Sequence, residues 1–557
     1  DRTGAFSVMP DGKTVVFMSD QGADENWSIF RVALDGSDPV ELTPGEVLHR
    51  DYPIAVRGVA DTIAYSARSK EEKNGRVYVQ SIAPGSKPKL VYTDSGSSYL
   101  VDVSREGQFG LMLRVQSMSD STLLLVDFAA GTSKPIWPGR GAPEKVGDAG
   151  FSADDSLIYL TTDAGGEEAD VVAIGREDFR ERARYVERRP ATALIQHIAI
   201  PRKASDRIGV LVDAGNHAEV RLLDGKTLKS GPKVAMPLGS GGNLRMSDDG
   251  RWLLLSFSTP DQPRDIYGVD TRTGAFRPLR QEPRPTIAKL PRIASSMRTL
   301  KSFDDGLVPV NLYLPDPLLR KKLPTLVIVH GGPASSYAVR WSVFNRFFSA
   351  QGWAVVEPNV RGSTGFGRQY EQADDYHKRM DAVRDLEEVG RWASKQPWAD
   401  PDKLVILGGS YGGYMTLMGL THHPKMWKAG VDAFGVYSWR TFMATTSGVI
   451  RDIFQREVGP ESDKGFLDTI SPAAKIDQVV APLFVYAGAN DPRVPRSESD
   501  AIVKSLRARN IPVEYMVATN EGHSLDHKEN VVAFLARAER FLETNLAIAP
   551  RASGRER

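Results

Sequence analysis

The feature that most constrains this chain is the run Leu404-Val-Ile-Leu-Gly-Gly-Ser-Tyr-Gly-Gly-Tyr414, where four apolar residues stop at a serine set among glycines. A short, uniformly apolar strand reads as one buried on both faces of a parallel sheet. The Gly-x-Ser-x-Gly turn after it must be sharp enough to strain the backbone of Ser410 and lift its hydroxyl to the rim of the sheet. Gly408 and Gly412 are required because a side chain at either would strike a neighbouring strand or helix. With a helix predicted over residues 412–421, the motif dictates an α/β-hydrolase sheet carrying a nucleophilic serine.

A serine needs a base and an orienting acid, which in this fold follow in the order Ser, Asp, His at the ends of later strands. The run Pro482-Leu-Phe-Val-Tyr-Ala-Gly488 predicts a buried strand whose loop carries Asp491, and Val513-Glu-Tyr-Met-Val-Ala518 predicts another that leads to Gly522-His523. Of the nine histidines, His422 and His423 fall at the end of the nucleophile helix, His527 comes late, and His377 precedes the serine. Only His523 has strand, glycine and order together. The oxyanion hole needs the N–H of Tyr411 and one from an earlier strand-end loop. The segment Leu326-Val-Ile-Val-His330-Gly331-Gly332-Pro333 offers Gly331 or Gly332.

These residues carry a resemblance. His330-Gly-Gly-Pro333, Asn359-Val-Arg-Gly-Ser-Thr-Gly-Phe-Gly367, Gly408-Gly-Ser-Tyr-Gly-Gly-Tyr414, Asn490-Asp-Pro-Arg-Val-Pro495 and Glu521-Gly-His523 stand in an order that resembles the prolyl oligopeptidase family. The His-Gly-Gly-Pro loop is similar to its acylaminoacyl-peptidase branch. The resemblance covers roughly residues 295 to 545 and implies a serine peptidase for short peptides, with Ser410, Asp491 and His523 as triad. It also implies that Val436, Trp439 and Phe442 line an apolar pocket for the substrate side chain. Arg361 reads as a structural anchor of its loop, and Arg493 as a candidate to hold a backbone carbonyl or carboxylate of the peptide. The pair Glu167-Glu168, comparable to the amine-binding glutamates of dipeptidyl peptidases, reads better as a solvated turn.

The family implies a β-propeller ahead of the hydrolase, and the N-terminal half supports one independently. Turn signals at Asp11-Gly12, Ala60-Asp61, Glu106-Gly107, Asp154-Asp155, Ser205-Asp206 and Asp249-Gly250 recur about every 47 residues, within the period of propeller blades. Second turns follow some of them, at Asp35-Gly36, Asp224-Gly225 and Thr273-Gly274. Six blades are counted. Seven are expected in the intact protein, because the family's propellers usually have seven or eight, with a true six-bladed ring as the alternative. The expected organisation is a propeller over 1–282, a linker over 283–294, an α/β-hydrolase over 295–547 and a mobile tail over 548–557.

A chain of 557 residues suggests more than one domain, and its 71 basic against 70 acidic residues give no reason to expect a nucleic-acid partner. No apolar run approaches a membrane span. The absence of cysteine excludes disulfides and thiol catalysis. It also tilts the expected setting slightly towards periplasmic or secreted over cytoplasmic. No metal or cofactor is expected. The function that follows is a serine peptidase for short peptides, of oligopeptidase, acylaminoacyl or dipeptidyl type, with access restricted by the propeller. The alternatives are an esterase with the same triad, a peptidase specialised for branched or cyclised peptides, and a propeller scaffold with an idle hydrolase.

Overall fold

The computed structural model describes residues 2–548, except 21–22, 46–47, 70–73, 139–143, 165, 168, 188–193, 204–205, 317–320 and 447. Glu168, Ser205 and all of the expected tail but Ile548 thus lie outside the described residues. The N-terminal half is a six-bladed β-propeller. Its sheets span residues 2–41, 49–93, 98–137, 146–187, 194–224 and 240–278, each built of antiparallel strands. The sequence count of six therefore matches the blades present.

The repeat has a local cause. Gly12, Gly107, Asp155 and Gly250 all adopt positive φ, between 58° and 72°, at the turn between the first two strands of their blades. The acids beside them fasten the turn. The carboxylate of Asp11 accepts from the backbone N–H groups of Lys13 and Thr14, and that of Asp249 from the N–H of Arg251. Asp154 does the same for Ser156, and hydrogen bonds led by the Ser152 hydroxyl hold its carboxyl down at about 2.

The C-terminal half forms one eight-stranded sheet. Its strands are β1 (Ala294–Lys301), β2 (Leu307–Leu314), β3 (Leu323–Val329), β4 (Ala354–Pro358), β5 (Ala399–Gly409), β6 (Ala429–Ala433), β7 (Leu483–Gly488) and β8 (Val513–Ala518). They lie in the order β1-β2-β4-β3-β5-β6-β7-β8, with every pair from β4 to β8 parallel. Strand residues alternate between two buried cores: Val327, Val329, Leu404 and Ile406 face one, and Leu326, Ile328, Val405 and Leu407 the other. Helix α1 (Arg379–Ser394) covers the first face through Ala382, Val383, Leu386 and Val389, and α2 (Tyr411–His422) joins it there. Both faces being covered explains why these strands read as unbroken apolar runs. No helix among the described residues is long and apolar enough to cross a membrane.

Candidate active site

Strand β5 delivers Ser410 to the start of α2 with φ 58° and ψ −122°, the strained conformation expected at the elbow. The glycines behave as the sequence requires. A Cβ on Gly408 would fall 2.2 Å from the Gly412 carbonyl oxygen, and one on Gly412 would fall 2.1 Å from that of Val329. The N–H of Tyr411, first in its helix, has no intrahelical acceptor.

Asp491 and His523 arrive on the loops after β7 and β8, and His523 Nδ1 lies 2.7 Å from Asp491 Oδ2. A carboxylate can only accept, so the proton sits on Nδ1 and Nε2 presents its lone pair. The other carboxylate oxygen of Asp491 accepts from the N–H groups of Arg493 and Val494 at 2.8 and 3.0 Å, which fixes its plane. Phe434 packs against the imidazole at 4.7 Å between ring centres. The loop that carries His523 is stapled by Glu521. This fully buried carboxylate accepts from the N–H groups of Asp526 and His527 and from Asn530.

The earlier loop is set by a contact that the sequence did not reveal. His330 is buried, which drives its pKa down to about 4, so the ring is neutral. Its Nδ1 lies 2.7 Å from the Gly331 carbonyl and its Nε2 2.8 Å from the Ser363 hydroxyl. A carbonyl only accepts, so Nδ1 donates to Gly331, and the Ser363 hydroxyl, which also lies 2.6 Å from the Val360 carbonyl, shares its one proton between that carbonyl and Nε2. With the Gly331 carbonyl tied down, planarity of the peptide aims the N–H of Gly332 the opposite way. Gly331 itself packs against the elbow, since a Cβ there would sit 3.5 Å from the Ser410 Cβ. Ser363 belongs to the Asn359–Gly367 segment, whose place in the site had no account from the sequence. Arg361 in the same segment is held by Asp385 and Asp304, as expected of a structural anchor.

Ser410, Tyr411, Gly332 and His523 share one cavity of about 220 Å³ with Val436, Trp439, Phe442 and Arg493. The two aromatics are buried and pack edge-on to each other and against Phe454. Trp439 and Phe442 come from helix α3 (Trp439–Thr445), and Phe454 from α4 (Gly448–Glu457). The propeller reaches this cavity. Met118 lines it, and a Cβ on Gly522 would lie 2.0 Å from the carbonyl oxygen of Ala23. The guanidinium of Arg493 is engaged by the Glu25 carboxylate of the propeller, at 2.9 and 3.1 Å. Glu167 is likewise occupied, accepting the backbone N–H of Gln369, so it is a clasp between domains where a solvated turn was expected. Among the described residues no cluster of acidic and histidine side chains suits a metal ion.

A propeller set over an α/β-hydrolase sheet, with a strained serine and a histidine–carboxylate pair in the cavity between them, defines a class of enclosed hydrolases. Residues 339–549 match the prolyl oligopeptidase family. Those residues form a prolyl oligopeptidase family domain, and the chain is a serine peptidase. It is 28% identical to dipeptidyl aminopeptidase BIII of Pseudoxanthomonas mexicana, over 97% of this chain and 79% of that protein. It is also 28% identical to the acylamino-acid-releasing enzyme of Rattus norvegicus, over 55% of this chain but only 44% of that protein. A solved prolyl endopeptidase superposes with a TM-score of 0.84 at 19% identity, covering 98% of this chain and 82% of the other.

Proposed function

We propose that this peptidase releases short N-terminal units, dipeptidyl or acylaminoacyl, from small peptides through a Ser410–His523–Asp491 triad. One observation carries the reading: the Asp491-oriented imidazole of His523 lines the same cavity as the strained Ser410. The Ser410 hydroxyl attacks the scissile carbonyl while Nε2 of His523 takes its proton, and Asp491 stabilises the imidazolium that forms. The N–H groups of Tyr411 and Gly332 receive the developing oxyanion. His523 returns the proton to the departing amine. Water, activated by the same imidazole, then hydrolyses the acyl-enzyme.

The test is labelling with a fluorophosphonate, followed by kinetics on dipeptidyl, acetyl-aminoacyl and short-chain ester chromogens. The reading requires one label, on Ser410, and peptide amides turned over in at least one of the first two classes. A label elsewhere, or turnover confined to the esters, refutes it.

A further inference from the structure

The cavity beside Ser410 ends in a charge that none of the chemistry above uses. Glu457, the last residue of α4, lines this pocket beside Trp439, Phe442 and Phe454, with only 6% of its surface exposed. Its Oε1 has no hydrogen-bond partner. Building on the triad reading, we propose that this pocket takes a long cationic side chain, lysine or arginine, at the residue whose carbonyl is attacked, with Glu457 as its counter-ion.

The charges around Glu457 make the pocket acidic in excess. A second cavity of about 210 Å³ meets the first at Met118 and Glu457. Its carboxylates are mostly spoken for. Glu371 is paired with Lys145 at 2.8 Å, and Asp120 faces Arg456 at 3.9 Å. Arg368, on the same wall, is taken by Asp163 at 2.7 Å. Behind them the fully buried Arg379 is paired with Asp374 and donates to the Tyr411 hydroxyl and to the Glu457 carbonyl, so it does not reach the Glu457 carboxyl by a hydrogen bond. Asp375 and Glu457 remain without an ion pair among the described residues. Burial, with help from the neighbouring acids, pushes Glu457 up to about 8 and Asp375 to about 7.

An unpaired buried carboxyl is costly, and the cost is lifted when a cation is brought to it. The walls specify the rest of the ligand. Trp439, Phe442 and Val436 clad the cavity in apolar surface, which suits the methylene stem of lysine or arginine as well as it suits leucine. A bare α-ammonium would reach the carboxyl with no stem to fill that surface. Arg493, the guanidinium on the cavity wall, is neutralised by Glu25 and does not oppose the incoming charge.

The experiment compares arginine, lysine and the uncharged isostere norleucine as the attacked residue, in matched dipeptidyl and acetyl aminocoumarin substrates. It uses the intact chain and the Glu457→Gln variant, with fluorophosphonate labelling of Ser410 monitored in both. For the parent protein kcat/KM should favour arginine or lysine over norleucine by about 10²-fold or more, as expected where a buried polar group would otherwise stay unpaired. In E457Q that ratio should fall to near one or below. A parent protein that labels at Ser410 yet prefers norleucine, or an E457Q ratio equal to the parent's, overturns the proposal while leaving the triad standing. Failure of Ser410 to label removes the triad reading itself. Should E457Q not fold, pentylguanidine against pentylurea decides on the parent protein. Competitive inhibition by the guanidine alone supports the proposal, and equal potency of the two overturns it.

Discussion

At the scale of single residues, the site separates groups that react from groups that aim them. Replacing Ser410, His523 or Asp491 by alanine should each lower kcat by about 10⁴- to 10⁶-fold with folding intact, and double replacements should add little, because the three act as one unit. A D491A variant with near-normal turnover would dissolve the triad. Ser363 belongs to the aiming groups. Ser363→Ala removes the hydroxyl that bridges His330 Nε2 and the Val360 carbonyl, and frees the ring that tethers the Gly331 carbonyl. The Gly332 N–H then loses its direction, and kcat should fall about tenfold or more with KM little changed, as for a weakened oxyanion donor. A loss seen only in KM would show that the tether serves binding. Asp432 gives a pH signature beneath the elbow, against Gly413 and Gly435. Burial raises its carboxyl to about 7, whereas an unfolded aspartate titrates near 3.9. Between those values the folded chain holds a proton that the unfolded chain has released, so this residue's contribution to stability falls as pH rises across that window. Asp432→Asn removes the penalty, and its gain in Tm should grow from pH 5 to pH 8. An equal gain at both would contradict the assigned titration.

At the scale of elements, legibility in the sequence follows the range of the interaction that sets each feature. The blade turns were readable because Asp11, Asp154 and Asp249 bond to N–H groups two or three residues away. The elbow was readable for the same reason, since its steric conflicts involve Gly408, Gly412 and the adjacent strand. Ser363 and Glu457 gave no signal: one bonds across 33 residues to His330, and the other is an ordinary glutamate on a helix until Met118 of another domain closes over it. The ion pair of Arg493 gave no signal either, because its partner, Glu25, lies 468 residues away. The hairpin that carries Glu25 also presses the Ala23 carbonyl onto Gly522, next to His523. Gly522→Ala would place a Cβ inside that carbonyl and push the His523 loop outward. A displacement of about 1 Å there should cost on the order of 10²-fold in kcat. Normal turnover in G522A would show that the hairpin yields and does not position the loop.

At the scale of the whole molecule, the clasps between the halves matter as much as the cavity they cover. Glu25 holds Arg493, Asp163 holds Arg368, Lys145 holds Glu371, and Asn216 accepts the Val339 N–H through its carbonyl. They fasten the propeller over a site lined from both domains, so a peptide reaches Ser410 through the ring or by parting these contacts. Most are ion pairs at a domain boundary, which are weak enough individually to open and close. The chain has no cysteine, which permits a clean test. Cysteines at Glu25 and Arg493 can be bridged by a short cleavable bismaleimide that takes the place of the salt bridge. If peptides enter by parting the domains, bridging should abolish most turnover, more completely for longer peptides, and reductive cleavage of the linker should restore it to the level of the unbridged double variant. If the bridged enzyme handles long and short peptides at the unbridged rate, access runs through the propeller ring, and the clasps serve only to hold the site together. If the propeller bars large substrates by either route, folded proteins should resist cleavage by the parent enzyme, and efficient digestion of a native globular protein would mean that the propeller is no barrier at all.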